Sequence, residues 1–236
     1  MDLLSDALDR AAPTTSAPEL ALPGLVVVLV TAAIAISWWP VWQVLRLVVT
    51  LVHELGHAVV GVAVGRRFTG FVLRSDMSGH AVTVGPPSGA GVVATTWAGY
   101  PAPAILGALL VWLASIGWAA PLLALLLLGL LLAVVFVRSG LTLLVVAGTA
   151  VGLGSLWWWG DDRLQHHVLV ALGVFLLVGA WRHLASVIAR PDPQSDPSAL
   201  ARVTPLPVLV WQGTFVLVCA LSTSVVLAEL FAALGG

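Results

Sequence analysis

The stretch Val41-Trp42-Gln43-Val44-Leu45-Arg46-Leu47-Val48-Val49-Thr50-Leu51-Val52-His53-Glu54-Leu55-Gly56-His57-Ala58-Val59-Val60-Gly61-Val62-Ala63-Val64-Gly65 decides how this chain is built. As a helix it is long enough to cross a bilayer core of about 30 Å, which takes about 20 residues. Its only formally charged residues are Arg46 and Glu54. Arg46, Thr50, His53 and His57 follow one another at spacings of four, three and four, which keeps them on one helical face. The stretch therefore predicts a membrane-spanning helix whose single polar stripe looks into the protein. Arg46 reads either as a snorkelling residue near one end or as part of the polar cavity, and the Gly61/Gly65 pair reads as a close-packing surface.

The rest of the chain has the same solvent. Of 236 residues, 60% are hydrophobic and 9% charged, where a soluble chain carries roughly 25% charged; a soluble globular protein is excluded. All ten basic residues are Arg, the acids number eleven and the net charge is -1. No basic surface for nucleic acid follows from that balance, and the implied partner is the lipid bilayer. Cys219, the one cysteine, offers neither a disulfide framework nor a metal pair.

On the bilayer ruler the fold class is an all-α polytopic membrane protein, with spans at about 22–38, 41–65, 90–117, 119–137, 139–156, 164–183 and 207–232. Between 117 and 141 only Trp118–Pro121 and Arg138–Gly140 punctuate the apolar run, which leaves six or seven spans open. Residues 1–21 form a polar tail, and 22–236 a single transmembrane domain. The tail carries Asp2, Asp6, Asp9 and Glu19 against Arg10, the wrong charge for a signal peptide, so the first apolar run reads as an uncleaved helix. Residues 66–84 are polar and roughly alternating, with Ser78-Gly79 as a turn signal, and predict a short β-hairpin after the second span. Residues 184–206 form a proline-rich connection.

Arginine placement sets an expected orientation. With seven spans, Arg66, Arg67, Arg74, Arg138, Arg190 and Arg202 fall on one side and Arg163 on the other, so the Arg-rich side and the amino terminus are both expected in the cytoplasm. Trp38, Trp39, Trp42, Trp118 and Trp157–Trp159 then fall at outer ends, where indole rings favour the interface. An Arg-only, Ala/Gly/Val/Leu-rich composition suggests a bacterial cell membrane.

His53-Glu54-Leu55-Gly56-His57 is an HExxH. Residues i and i+4 of a helix face the same way, so two imidazoles converge on one metal while the glutamate between them reaches a water on that metal. Two histidines and an acid amid lipid-facing residues are costly unless they face a protein interior or a hydrated cavity, and ionisable groups within a membrane are functional candidates by default. His80 reads as a surface residue of the hairpin, His166 and His167 as interfacial, and His183 lies on the HExxH side without a motif.

The HExxH in a hydrophobic helix resembles the site-2 protease family, the intramembrane zinc metallopeptidases of the M-fifty class. Ala98-Gly99-Tyr100-Pro101-Ala102-Pro103 resembles the AGYxGP segment of the smaller B-like branch, and Ser195-Asp196-Pro197-Ser198-Ala199-Leu200-Ala201-Arg202-Val203-Thr204-Pro205-Leu206-Pro207 its SDxxxLAxxTxIP segment. This chain departs from the pattern in Pro101-Ala102-Pro103 and in Pro197. A catalytic zinc usually takes three protein ligands, and the resemblance implies that a carboxylate at Asp196 completes the pair His53 and His57; Asp192 is the competing ligand. Asp196 can reach His57 only if the 184–206 connection dips inward, because His57 lies about eight residues, about 12 Å of helix, from the end of its span.

The function implied is a zinc endopeptidase cutting in or near membrane-spanning segments of other proteins, with Glu54 as general base and a substrate strand added to the hairpin edge. The alternatives from another class are a non-catalytic zinc-binding scaffold and a small transporter. Against the first stands the retained Glu54; against the second, the absence of an internal repeat visible to the eye. Neither substrate nor regulatory partner is named by the sequence.

Overall fold

A computed structural model of the chain describes residues 3–14 and 21–235. Short α1 (Leu3–Arg10) precedes α2 (Leu22–Ser37) and α3 (Trp39–Ala63), after which come β1 (Arg67–Leu73) and β2 (Gly79–Val84). Then follow α4 (Ala90–Trp97), α5 (Pro101–Ser115), α6 (Ala119–Val134), α7 (Gly140–Trp159), α8 (Asp162–Ala189), α9 (Asp196–Val203) and α10 (Val208–Gly235). The protein is the expected helical membrane bundle with one small hairpin. Helices α3, α7, α8 and α10 are each long and apolar enough to cross a membrane, and α4 with α5 makes a fifth crossing if the pair is one span. Helices α2 and α6 have 16 residues each, about 24 Å of helix.

The segment expected as one span over 90–117 is broken, with α4 and α5 meeting at 61°. The break falls at Ala98-Gly99-Tyr100, just before Pro101. Proline has no N–H for the helical ladder and crowds the residue before it, so a straight continuation is disfavoured there.

Helix α3 stops at Ala63 because Gly65 takes a left-handed φ of 79°. Arg66 N–H then donates to the Gly61 carbonyl and Gly65 N–H to Val62, which caps the last turn. Only Gly61 of the expected packing pair packs: a Cβ there would meet Thr83 Cγ2 of β2 at 2.9 Å, whereas Gly65 faces open space.

From that cap the hairpin runs back along α3. Its strands are antiparallel, Arg67 opposite Val84 and Leu73 opposite Gly79. Phe71 and Leu73 are buried with Leu47 and Leu51 of α3, Leu130 of α6 and Val146 of α7. The outer edge of β1 is already occupied: Phe71 N–H donates to Phe136, Arg138 N–H to Phe71, and Leu73 N–H to Thr142 Oγ1 at 2.7 Å. At the tip, Thr50 Oγ1 of α3 donates to the Met77 carbonyl at 3.1 Å. Gly79, His80, Ala81 and Thr83 of β2 border a cavity.

The larger core joins α2, α3, α5, α6, α8 and α10. Its tightest seam is α5 on α8, where a Cβ at Gly107 would lie 2.6 Å from the Gly173 carbonyl and one at Gly173 would lie 2.6 Å from the Gly107 carbonyl. Two glycines let the backbones touch.

One expectation is overturned. Gly24 packs directly on the His167 ring near the start of α8, and the Ile36 carbonyl accepts from Arg182 Nη1 further along it. Helix α2 therefore runs in the same sense as α8, as does α3, whose Val49 meets Gly179 and whose His53 sits beside His183. An antiparallel α2–α3 pair of crossings is absent. The amino-terminal residues correspondingly lie at the end carrying Trp118 and Trp157–Trp159: Thr14 N–H donates to Gly117, and Arg10 donates to the Trp158 carbonyl with its guanidinium 4.9 Å above that ring. That end is opposite the Arg-rich loops, so amino terminus and Arg-rich side do not share a face. Apolar length measures reach across a bilayer and carries no direction.

Candidate metal centre

The site is assembled from α3, the α4–α5 bend, α8 and the start of α9. On α3, His53 and Glu54 are 7% and 4% exposed. His53 Nε2 and His57 Nε2 lie 3.2 Å apart, and Asp196 Oδ2 lies 3.2 Å from each. Nothing holds the Asp196 Oδ2 corner of this triangle by a hydrogen bond, although the atom is buried. Tetrahedral zinc with bonds of about 2.0–2.1 Å sets its ligand atoms roughly 3.3 Å apart. Two nitrogens and one oxygen at that spacing, with a fourth direction free, could hold a metal ion. Burial raises the Asp196 carboxyl, but the charge of the His57 and His53 imidazoles, each 3.2 Å from Oδ2, outweighs it and holds the group well below the usual carboxylate range. It is an anion ready to ligate.

Asp196 arrives because the connection does turn inward. Helix α8 runs on to Ala189, six residues past the expected end of its span, and the chain folds back through a turn organised by Asp192. Asp192 Oδ1 accepts from Gln194 N–H at 2.8 Å, while its carbonyl accepts from Ser195 Oγ at 2.7 Å and from Ser198 Oγ at 2.8 Å. Asp192 builds the turn, and Asp196 at the first position of α9 faces the imidazoles.

Three glycines let backbone approach the reactive side chains. A Cβ on Gly99 would strike the His57 ring and lie 2.6 Å from His53 Nε2. One on Gly56 would lie 2.8 Å from the Ala98 carbonyl, so the glycine inside the HExxH admits the bend of α4 into α5. One on Gly79 of β2 would collide with the Glu54 carboxylate. Glu54 is thus backed by the hairpin, and it opens with His53, His57 and Asp196 onto a cavity of about 490 Å³. His80, Ala81 and Thr83 of β2 line the same cavity.

The polar stripe on α3 faces this cavity and its neighbour. Arg46 lines a second cavity of about 430 Å³ with Asp76, Arg182 and Arg190, and Thr50 and His183 border both. His183, which has no motif, is brought to the site: its ring centroid is 5.2 Å from that of His53 and 5.1 Å from that of Tyr100. A signal for it existed. Gly179, His183, Ser186 and Arg190 repeat on α8 the four, three, four spacing read on α3. His166, expected at the interface, is buried at 3% exposure.

Residues 26–226 match the model of a family described as Peptidase M50B-like. Neither the curated proteins nor the solved structures give a match. With an HExxH helix inside an apolar bundle and a family match running through most of its length, the chain belongs to the Peptidase M50B-like family.

Proposed function

We propose that this chain is an intramembrane zinc metalloendopeptidase that hydrolyses peptide bonds in or near membrane-spanning segments of other proteins. The observation that carries the reading is the 3.2 Å triangle of His53 Nε2, His57 Nε2 and Asp196 Oδ2 beside a buried glutamate in an apolar helix. Those three atoms would hold the zinc. Bound there, zinc would supply a Lewis acid that polarises the scissile carbonyl and makes water nucleophilic near neutral pH. The Glu54 carboxylate would accept the proton of the attacking water and return it to the departing amide nitrogen as the C–N bond breaks. His57 Nδ1–H donates to the Thr95 carbonyl at 2.7 Å, which fixes the tautomer that turns Nε2 to the centre.

An extended substrate would pair with β2, the strand whose residues line the cavity, since neighbouring residues occupy the outer edge of β1. We assign the Arg-rich end, and with it the mouth lined by Arg190, Asp192 and Gln194, to the cytoplasmic side of a bacterial membrane.

The test compares wild type with Glu54→Gln on a membrane-embedded reporter, with zinc content measured in parallel. The expected result is cleavage lowered by about 10²-fold or more with zinc retained. Equal processing by both proteins would remove the peptidase mechanism.

A further inference from the structure

The two histidines of the triangle are not held alike. His57 donates through Nδ1 to the Thr95 carbonyl, whereas His53 Nδ1 is buried and has no hydrogen-bond partner. When Nε2 binds a metal, Nδ1 carries the ring proton, and a ligating histidine almost always gives that proton to an acceptor. A buried donor left unsatisfied weakens the state that contains it.

His183 is placed to be that acceptor. Nitrogens about 2.9 Å apart in an in-plane hydrogen bond between two imidazoles set the ring centres roughly 5 Å apart. The observed centroid distance is 5.2 Å, with the planes tilted by 40°. A rotation of the His183 ring about its terminal torsion, which is soft for an imidazole, would turn a ring nitrogen toward the adjacent His53 ring. Tyr100, the other aromatic neighbour, meets His53 at 82°, edge to face, and stacks on Phe215. The Tyr100 hydroxyl makes no hydrogen bond to His53 Nδ1.

We propose that His183 is a positioning residue of the metal centre: as a neutral imidazole it accepts the hydrogen bond of His53 Nδ1–H, the counterpart of the Thr95 carbonyl at His57. The inference rests on the metal-site reading above. It gives α8 a part in the site that the HExxH and the Asp196 segment leave open, because α8 then fixes the orientation of the first ligand.

The experiment measures zinc affinity of the full-length protein in detergent by competition with a chelator, together with the melting temperature of the metal-free protein. His183→Phe keeps an aromatic ring beside Tyr100 and removes the acceptor; His183→Gln restores one; His183→Leu repeats the loss with a smaller side chain. The expected result is zinc affinity weaker by about 10–100-fold in the Phe and Leu variants, largely recovered in the Gln variant, with metal-free melting unchanged. Wild-type affinity in His183→Phe, or no recovery in His183→Gln, would overturn the inference and leave the zinc reading standing. A loss in Tyr100→Phe with none in His183→Phe would overturn it in favour of the tyrosine hydroxyl. A wild type that takes up no zinc would overturn the metal-site reading and this inference with it.

Discussion

Gly79 and Gly99 sit on opposite sides of the HExxH, and a single added carbon at each would meet different chemistry. The Gly99 Cβ would run into both candidate ligand rings, whereas the Gly79 Cβ would run into the Glu54 carboxylate. Gly99→Ala is therefore expected to weaken zinc binding about tenfold or more, the scale on which disturbed ligand orientation is felt. Gly79→Ala should keep its zinc and lose about 10²-fold in cleavage, the usual contribution of a displaced general base. Chelator competition and the reporter assay separate the two; zinc loss in Gly79→Ala with none in Gly99→Ala would contradict both assignments. His53, Glu54 and His57 were legible in the sequence because one helix fixes their mutual facing at i and i+4. The part played by the glycines was not, since a missing Cβ becomes informative only once the opposing chain is known.

The hairpin owes its place to hydrogen bonds outside its own strands. Thr142 Oγ1 of α7, fully buried, accepts from the Leu73 amide at 2.7 Å and ties the tip end of β1 to the bundle. Thr142→Val keeps the shape and removes the acceptor, leaving a buried amide unpaired at a cost of about 1–3 kcal/mol. The expected outcome is a lower melting temperature with faster hydrogen exchange at Leu73, and unchanged exchange there would show that the tether carries no load. Alternating residues and Ser78-Gly79 sufficed to predict two strands. That β1 would be flanked by Phe136–Arg138, and that β2 would be the strand along the cavity, depended on where α6 ended. The break of α4 into α5 was likewise hidden inside an apolar run that length alone reads as one span.

Across the whole molecule, charge and direction combine into a topology. Acidic residues predominate in the amino-terminal tail, whose Arg10 and Thr14 pack on Trp158 and Gly117, while Arg66, Arg138 and Arg202 gather at the other end around Pro86, Thr69 and Pro193. Ala12→Cys and Arg67→Cys, each introduced into a Cys219→Ala background, should therefore react with a membrane-impermeant thiol reagent from opposite sides of the membrane. Labelling of both from one side would contradict the parallel course of α2 and α8. The sequence by itself determined that the solvent is lipid, where the apolar segments lie, and that two imidazoles share one helical face with a carboxylate beside them, because these follow from composition and from the 3.6-residue period. Only the tertiary structure decided which aspartate meets those imidazoles, which histidine stands behind His53, and which way α2 runs. Each of these depends on contacts between segments far apart in the chain, and such contacts are set by packing rather than by local pattern.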